Sequence, residues 1–257
     1  MAWRLLLAIW LVAAIMMTLG WLWQCRHHNA GIVDVLWSIG LAGSAIVNGF
    51  LGAGALAPRL LVALLGGLWG ARLAGHLGIR VFSEPEDGRY RALRAHWGDS
   101  PPRWFGLFQF QALLIALFSV PFAAAATNPS THVAALALAL AFWNVSVLGE
   151  SIADHQLARF RADAANRGKT CRSGLWRYSR HPNYFFEWLH WFSYVALALG
   201  ASALWYSLVG PVLMYVFLRW ISGVPYSEAQ ALRTRGNDYR DYQRATSMLI
   251  PWIPRKI

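Results

Sequence analysis

The segment Ala2–Trp23, AWRLLLAIWLVAAIMMTLGWLW, decides the class of fold because Arg4 is its only charged residue. A helix needs roughly 20 apolar residues to cross a hydrocarbon core about 30 Å thick, and this segment is long enough. The apolar part of a secretory signal peptide is shorter, roughly 7–15 residues, and follows a more basic N-terminus. We therefore interpret Ala2–Trp23 as a retained membrane-spanning helix.

Further apolar windows follow along the rest of the chain. They are Val33–Leu56, Leu60–Leu77, Phe105–Thr127, Val133–Ile152, Phe185–Ala201 and Leu204–Ile221. The composition agrees with this pattern, because 57% of the residues are hydrophobic and only 14% are charged, whereas soluble proteins carry about 25% charged residues. The sequence predicts an all-α, polytopic membrane protein with seven transmembrane helices in a single domain, residues 1–257.

The positive charge lies almost entirely on one side of the predicted membrane. The chain has a formal net charge of +11, and 20 of its 23 Lys and Arg residues fall in alternate loops and in the tail. These basic segments are 24–32, 78–104, 153–184 and the tail from Arg219. Since Lys and Arg concentrate in cytoplasmic loops, the N-terminus is predicted outside and the C-terminus in the cytoplasm. An even number of spans would scramble this partition.

Three acidic residues, Asp34, Glu150 and Glu187, lie within or against apolar windows. An ionisable group at membrane depth is costly, and it usually faces the bundle interior, a partner or a water-filled cavity. On the third window Arg72 and His76 are four residues apart and share a helix face, so that both could project into one cavity. The alternatives are solvation at a helix end for the acids and snorkelling to the headgroups for Arg72 and His76.

The most informative polar block runs from Asp154 to Trp191 and combines basic residues with aromatic ones. Arg binds phosphate through two parallel hydrogen bonds and Lys binds it as a point charge, so this density favours an anionic cofactor with planar parts, such as a dinucleotide. Pro182 predicts a fixed turn before the sixth span. A basic loop that binds anionic lipid is the alternative. Nucleic acid is disfavoured because the charges lie in short loops, and no metal site or disulfide is predicted from Cys25 and Cys171.

The tail forms a second polar block, Tyr226–Trp252. We predict a helix that breaks at Gly236, with Tyr239 and Tyr242 three residues apart on one face of the part that follows. Together with the first block this tail could enclose a nucleotide from two sides. The alternative is a solvated helix on the membrane surface.

Four segments carry a resemblance to a known family. They are Glu86–Tyr90 (EDGRY), Ala153–Phe160 (ADHQLARF), Gly174–Trp188 (GLWRYSRHPNYFFEW) and Arg235–Trp252 (RGNDYRDYQRATSMLIPW). They resemble the steroid 5-alpha-reductase-like superfamily of membrane reductases, especially its bacterial branch, with sterol delta-14 reductases as relatives and isoprenylcysteine carboxyl methyltransferases as more distant ones.

The resemblance implies NADPH bound from the cytoplasmic side by residues 128–257, and a lipophilic substrate in an intramembrane cavity formed by residues 1–127. It also implies a monomer in a bacterial inner (plasma) membrane. The implied cofactor contacts are Asp154, Arg161, Lys169, Arg177, Tyr178, Arg180, His181, Asn183, Tyr184, Glu187, Arg233, Tyr239 and Tyr242.

The chain departs from the family at two positions. Phe186 replaces the usual small residue of the motif, and Trp69 stands where the reductases carry the Tyr that polarises the substrate carbonyl. Asp34 is then the candidate for the family's Glu, with His76 and Arg72 as the other candidate catalytic residues. The expected reaction is reduction of a carbon–carbon double bond conjugated to a carbonyl in a steroid-like or other lipophilic enone.

Two other functions remain open from the sequence. One is S-adenosylmethionine-dependent methyl transfer to an isoprenylcysteine-type or lipid substrate, which shares the Arg-His-Pro element. The other is a catalytically silent lipid-binding membrane protein. The basic set in the cytoplasmic block favours the dinucleotide, since S-adenosylmethionine has no phosphate.

Overall fold

Helices make up the regular structure of this protein. The computed structural model describes residues 3–255, and no β-strand forms in that range. The first six helices are α1 (Trp3–His27), α2 (Ile32–Leu51), α3 (Leu56–Ser83), α4 (Gly88–Trp97), α5 (Pro101–Ala126) and α6 (Val133–Ala162). After two 3₁₀ turns come α7 (Pro182–His190), α8 (Phe192–Leu197), α9 (Leu204–Ser207), α10 (Val209–Val216), a π-helical turn (Phe217–Ile221) and α11 (Val224–Ala245). Ala2, where the first predicted span begins, lies outside the described residues.

Six helical stretches in residues 3–255 are long and apolar enough to cross a membrane. They are α1, α2, α3, α5, α6 and the run Leu204–Ala245. The prediction of an all-α, multi-pass membrane protein is therefore confirmed. The window predicted at Phe185–Ala201 does not form one long helix, because α7 and α8 are interrupted at Trp191. The seven-span topology and the sidedness of the termini stay predictions.

The helices form two compact units, of which the first comprises residues 1–136 and 194–210. Within it α2 packs along α3 through small residues. A Cβ atom on Gly49 would lie 2.6 Å from the Arg59 carbonyl oxygen, and one on Gly70 would lie 2.9 Å from the Ser38 carbonyl oxygen. Without a hydrophobic driving force between helices in lipid, such close backbone approach is what stabilises a membrane helix pair.

An aromatic core fills the interior of the first unit. Trp69 is only 1% exposed, and its ring packs edge-on against Trp37, which in turn meets Phe118. Trp69 thus packs in this core, at the position where the resemblance implies a Tyr in the reductases.

At one end of the helices, the Asn128 side-chain amide donates to the Leu197 and Leu199 carbonyl oxygens at 2.7 and 2.8 Å.

The second unit comprises residues 137–193 and 211–257. Here α6 packs on α7, where Phe186 is buried and a Cβ atom on Gly149 would lie only 2.4 Å from its ring. Phe186 is accommodated because residue 149 has no side chain. In α11 Gly236 has φ 52° and ψ −121°, so the predicted helix break at this residue is confirmed. A positive φ of this kind is readily adopted only by glycine.

Candidate functional site

In the first unit, a polar cluster surrounds Asp34 in the first turn of α2. Its carboxylate accepts hydrogen bonds from the Tyr90 hydroxyl at 2.8 Å and from the Arg89 guanidinium at 3.0 Å. Both donors stand in the first turn of α4, which Asp87 caps by accepting from the Arg89 backbone N–H at 2.8 Å. The cap fixes the start of α4 and thereby aims Arg89 and Tyr90 at Asp34.

A second acid holds the same loop in place. Glu86 accepts from the Ala30 backbone N–H at 2.8 Å and from Arg94 at 2.9 Å. Arg94 also pairs with Asp99 and lies 4.6 Å from the centroid of the Trp104 ring. The EDGRY segment is thus bound to the residues that precede α2.

Burial and the Asp34 carboxylate raise the pKa of Tyr90 well above its ordinary value. For Arg89, burial acts to lower the pKa, but Asp34, Tyr90 and Asp87 outweigh it and the pKa rises. Burial likewise acts to raise the pKa of Asp87, and Arg89 overcomes it, so this pKa is lowered. Tyr90 is therefore a neutral hydroxyl donor beside an ion pair at neutral pH.

A small pocket of about 30 Å³ opens beside Asp34. Arg80, Arg89, Asp87 and Asn29 contribute to its lining. One water needs roughly 10–15 Å³ of cavity volume, so the pocket accommodates about two waters. It can bring solvent to the carboxylate but is too small for a lipid.

The three predicted catalytic residues do not form one cluster. Among the described residues Asp34 binds Arg89 and Tyr90 and makes no hydrogen bond to His76, which lies exposed on α3. Arg72 is half-buried on the same helix. The catalytic roles of Asp34, His76 and Arg72 stay predictions, but the proton donor in contact with Asp34 is Tyr90.

In the second unit, Glu228 organises the Arg-His-Pro element. Its carboxylate accepts from Arg180 Nε at 2.7 Å and from Gln243 at 2.8 Å, and lies 3.3 Å from His181 Nε2 and 3.4 Å from the Tyr239 hydroxyl. The Arg180 and Glu228 side chains are 12% and 16% exposed. The remaining guanidinium hydrogen bonds of Arg180 go to the Gln243 and Thr246 carbonyl oxygens.

Further contacts join the motif to the tail. The Tyr242 hydroxyl is buried and donates to the Trp176 and Ser179 carbonyl oxygens. The Trp252 N–H donates to the Tyr178 carbonyl oxygen at 2.9 Å. Three predicted cofactor contacts, Arg180, Tyr239 and Tyr242, therefore direct their polar atoms to protein groups. They hold the motif and the tail together.

His181 lies at the start of α7, where its ring stacks on that of Tyr184 at 5.4 Å between centroids. Burial lowers the pKa of His181, although its contact with Glu228 acts in the opposite direction. The imidazole is therefore neutral at pH 7.

The remaining predicted contacts are more accessible. Asn183 donates to Asp154 at 3.1 Å, which joins the start of α7 to α6, and Glu187 lies half-buried on α7. We call the exposed basic side chains the cationic rim; its members are Arg161, Lys169, Arg177 and Arg233. Within residues 3–255 none of the four pairs with a carboxylate, and Arg177 instead lies over the exposed ring of Tyr178.

Sequence reasoning missed Glu228, Arg89 and Tyr90 as site residues. Glu228 stands ahead of the tail motif, and its contacts with residues 11 and 15 positions later depend on the turn at Gly236. Arg89 and Tyr90 were quoted only as part of a motif. The signal for them was the cap-forming Asp87 ahead of an Arg-Tyr pair.

The chain matches the family described as protein of unknown function (DUF1295) over residues 20–246. No curated protein and no solved structure matches it at a significant level. The match covers both polar clusters and most of the helices. The chain therefore belongs to the DUF1295 family, which falls within the steroid 5-alpha-reductase-like superfamily.

Proposed function

We propose that the protein is an NADPH-dependent reductase of a carbon–carbon double bond conjugated to a carbonyl in a lipophilic enone. The observation that carries this proposal is the cationic rim of the second unit. Arg161, Lys169, Arg177 and Arg233 are exposed and have no carboxylate partner in residues 3–255.

The residues of the second unit fit a phosphorylated dinucleotide. Arg161, Lys169 and Arg177 would hold its phosphates, because charge-assisted hydrogen bonds to phosphate suit these side chains. Asp154, Asn183 and Tyr184 have the polar and aromatic groups that suit the ribose, amide and planar parts of such a cofactor. Arg180, Tyr239 and Tyr242 would support these residues without touching the cofactor. When bound, NADPH supplies the hydride.

On the protein side, we propose Tyr90 as the donor that polarises the substrate carbonyl. Its hydroxyl is neutral, and Asp34 fixes its position. The one Tyr90 O–H is donated to Asp34, so it would turn from the carboxylate to the substrate oxygen when the carbonyl binds. Arg89 stays paired with Asp34 and offsets the repulsion between the carboxylate and the developing negative charge. The water-sized pocket beside Asp34 gives protons a route to the site.

We further propose seven crossings, with the N-terminus outside and the C-terminus in the cytoplasm of a bacterial inner membrane. The α7–α8 pair would be the sixth crossing. Support comes from Asn128, which follows α5 and binds Leu197 and Leu199 after α8, so the end of the pair lies at the level of the α5–α6 connection.

The cofactor assignment is tested by ligand-induced thermal stabilisation of the purified protein in detergent. NADPH is expected to raise Tm, whereas S-adenosylmethionine is not. Arg161→Gln is expected to reduce the NADPH effect, and the matched control Arg159→Gln, an exposed Arg on the same helix, is expected to keep it. Stabilisation by S-adenosylmethionine alone would refute the reductase proposal.

The donor assignment is tested separately with Tyr90→Phe. Removing the hydroxyl is expected to lower enone-dependent NADPH oxidation by about 10²-fold or more, as loss of one such donor commonly does. NADPH binding is expected to be retained. Tyr206→Phe, an exposed Tyr of the same unit, serves as the control. Unchanged turnover in Tyr90→Phe would refute its role.

A further inference from the structure

Arg235 Nε and Thr170 Oγ1 are among the buried polar side-chain atoms of the second unit that lack a hydrogen bond in the described residues. Both atoms are inaccessible to solvent. Thr170 as a whole is only 7% exposed. A buried polar group without a partner is costly, roughly 1–3 kcal/mol, and calls for an explanation such as a ligand.

The two donors belong to segments that are held together. The Thr170 backbone N–H donates to Asp238 at 2.7 Å, and Arg172 pairs with the other oxygen of the same carboxylate at 2.7 Å. Asp238 follows Arg235 by three residues, across the turn at Gly236. The Thr170 segment is thus fixed against the part of α11 that carries Arg235.

The Tyr239 ring holds the Arg235 guanidinium in place. The guanidinium lies over the ring at 4.9 Å from the centroid, and its position is therefore not that of a mobile surface side chain. Arg161 is close enough for its positive charge to act on Arg235. Like charges repel, and an anion between them removes the repulsion.

We propose that Arg235 and Thr170 bind a phosphomonoester, the 2′-phosphate of the adenosine part of NADPH, and so select NADPH over NADH. The inference rests on the proposed function and identifies the cofactor group that this part of the site recognises.

Arg172 offsets the charge of the nearby acid, Asp238, so this carboxylate does not decide the site in favour of an unmodified ribose. Nucleotide sites that prefer NADH use a carboxylate to accept from the ribose 2′-hydroxyl, whereas an Arg accommodates the 2′-phosphate. Here both Asp238 oxygens are already occupied, by the Thr170 N–H and by Arg172. The groups that remain for a ligand are the hydrogen-bond donors Arg235 Nε and Thr170 Oγ1. Together with the positive charge of Arg235 they suit a phosphate.

The test compares Arg235→Gln, Thr170→Val and the control Arg240→Gln by the Kd of each purified full-length variant for four probes. Arg240 is exposed on the same helix, and within residues 3–255 its side chain bonds to that of Asn237. The probes are NADPH, NADH, 2′,5′-ADP and 5′-AMP. Arg235→Gln is expected to weaken NADPH and 2′,5′-ADP binding about tenfold or more and to change NADH and 5′-AMP binding less than about twofold. Thr170→Val is expected to give a smaller loss of the same selectivity, and Arg240→Gln none.

The outcomes separate this inference from the reductase proposal. If the unaltered protein binds NADPH but Arg235→Gln loses NADPH and NADH affinity equally, the 2′-phosphate assignment is wrong. Unchanged NADPH affinity in both Arg235→Gln and Thr170→Val also overturns it. If the unaltered protein binds none of the four probes, the proposed function itself fails. The Tm of each variant without ligand shows whether it is folded.

Discussion

The Glu228 carboxylate contacts four side chains, those of Arg180, His181, Tyr239 and Gln243. We expect its replacement by Gln to cause a large loss of stability. The Gln amide nitrogen would face the Gln243 amide nitrogen, which now donates to the carboxylate at 2.8 Å, so that two donors meet. Arg180, 12% exposed, would keep its charge without a counterion. Breaking such a buried pair costs about 3–5 kcal/mol.

The exposed pair Arg80–Glu84 provides the matched control. Its side chains are 45% and 56% exposed, and exposed pairs contribute about 0–1 kcal/mol. We therefore expect Glu84→Gln to leave stability almost unchanged. The same carboxylate-to-amide exchange is compared at a buried and at an exposed position.

The assay is thermal unfolding of both variants in one detergent. For a chain of this size about 1 kcal/mol shifts Tm by about 2–4 °C, so Glu228→Gln is expected to lower Tm by roughly 6–20 °C. A shift of less than about 2 °C, equal to that of Glu84→Gln, would refute the view that Glu228 organises the Arg-His-Pro element.

Two further predictions concern stability. Asn128→Ala leaves the Leu197 and Leu199 carbonyl oxygens without their donor and is expected to cost about 2–3 kcal/mol in thermal unfolding; a loss under about 0.5 kcal/mol would contradict the proposed role of Asn128 in fixing the end of α8. Because burial lowers the folded-state pKa of His181, its contribution is complete above the unfolded-state pKa near 6.5 and is lost as pH falls below it. Tm measured from pH 8 to 5 is expected to fall less steeply in His181→Gln, and parallel curves would contradict a neutral buried His181.

Much of the fold followed from the sequence because long apolar windows leave few alternatives. The helix break at Gly236 was predictable too, since glycine is the residue that adopts a positive φ cheaply. The interruption at Trp191 was not, because no Pro or Gly marks it and the apolar pattern continues across Phe185–Ala201.

The site was predictable by residue type but less so by role. Arg180 and Tyr242 have the chemistry of phosphate and ribose contacts, and the sequence could not show that Glu228 and backbone carbonyls already occupy them. Conversely, the EDGRY motif did not identify Tyr90 as a candidate donor, because that role depends on a contact with Asp34 more than fifty residues away. Long-range pairing decides which polar groups remain available to a ligand.

The central claim, hydride transfer from NADPH to a lipophilic enone, is tested most directly with NADPH deuterated at the transferable position of the nicotinamide. The purified protein in detergent is incubated with this cofactor and a panel of lipophilic enones, and the products are analysed by mass spectrometry. The account predicts a reduced product that carries one deuterium, formed by the unaltered protein and lost in Tyr90→Phe. Reduced product without deuterium, or NADPH binding with no oxidation across the panel, would contradict it.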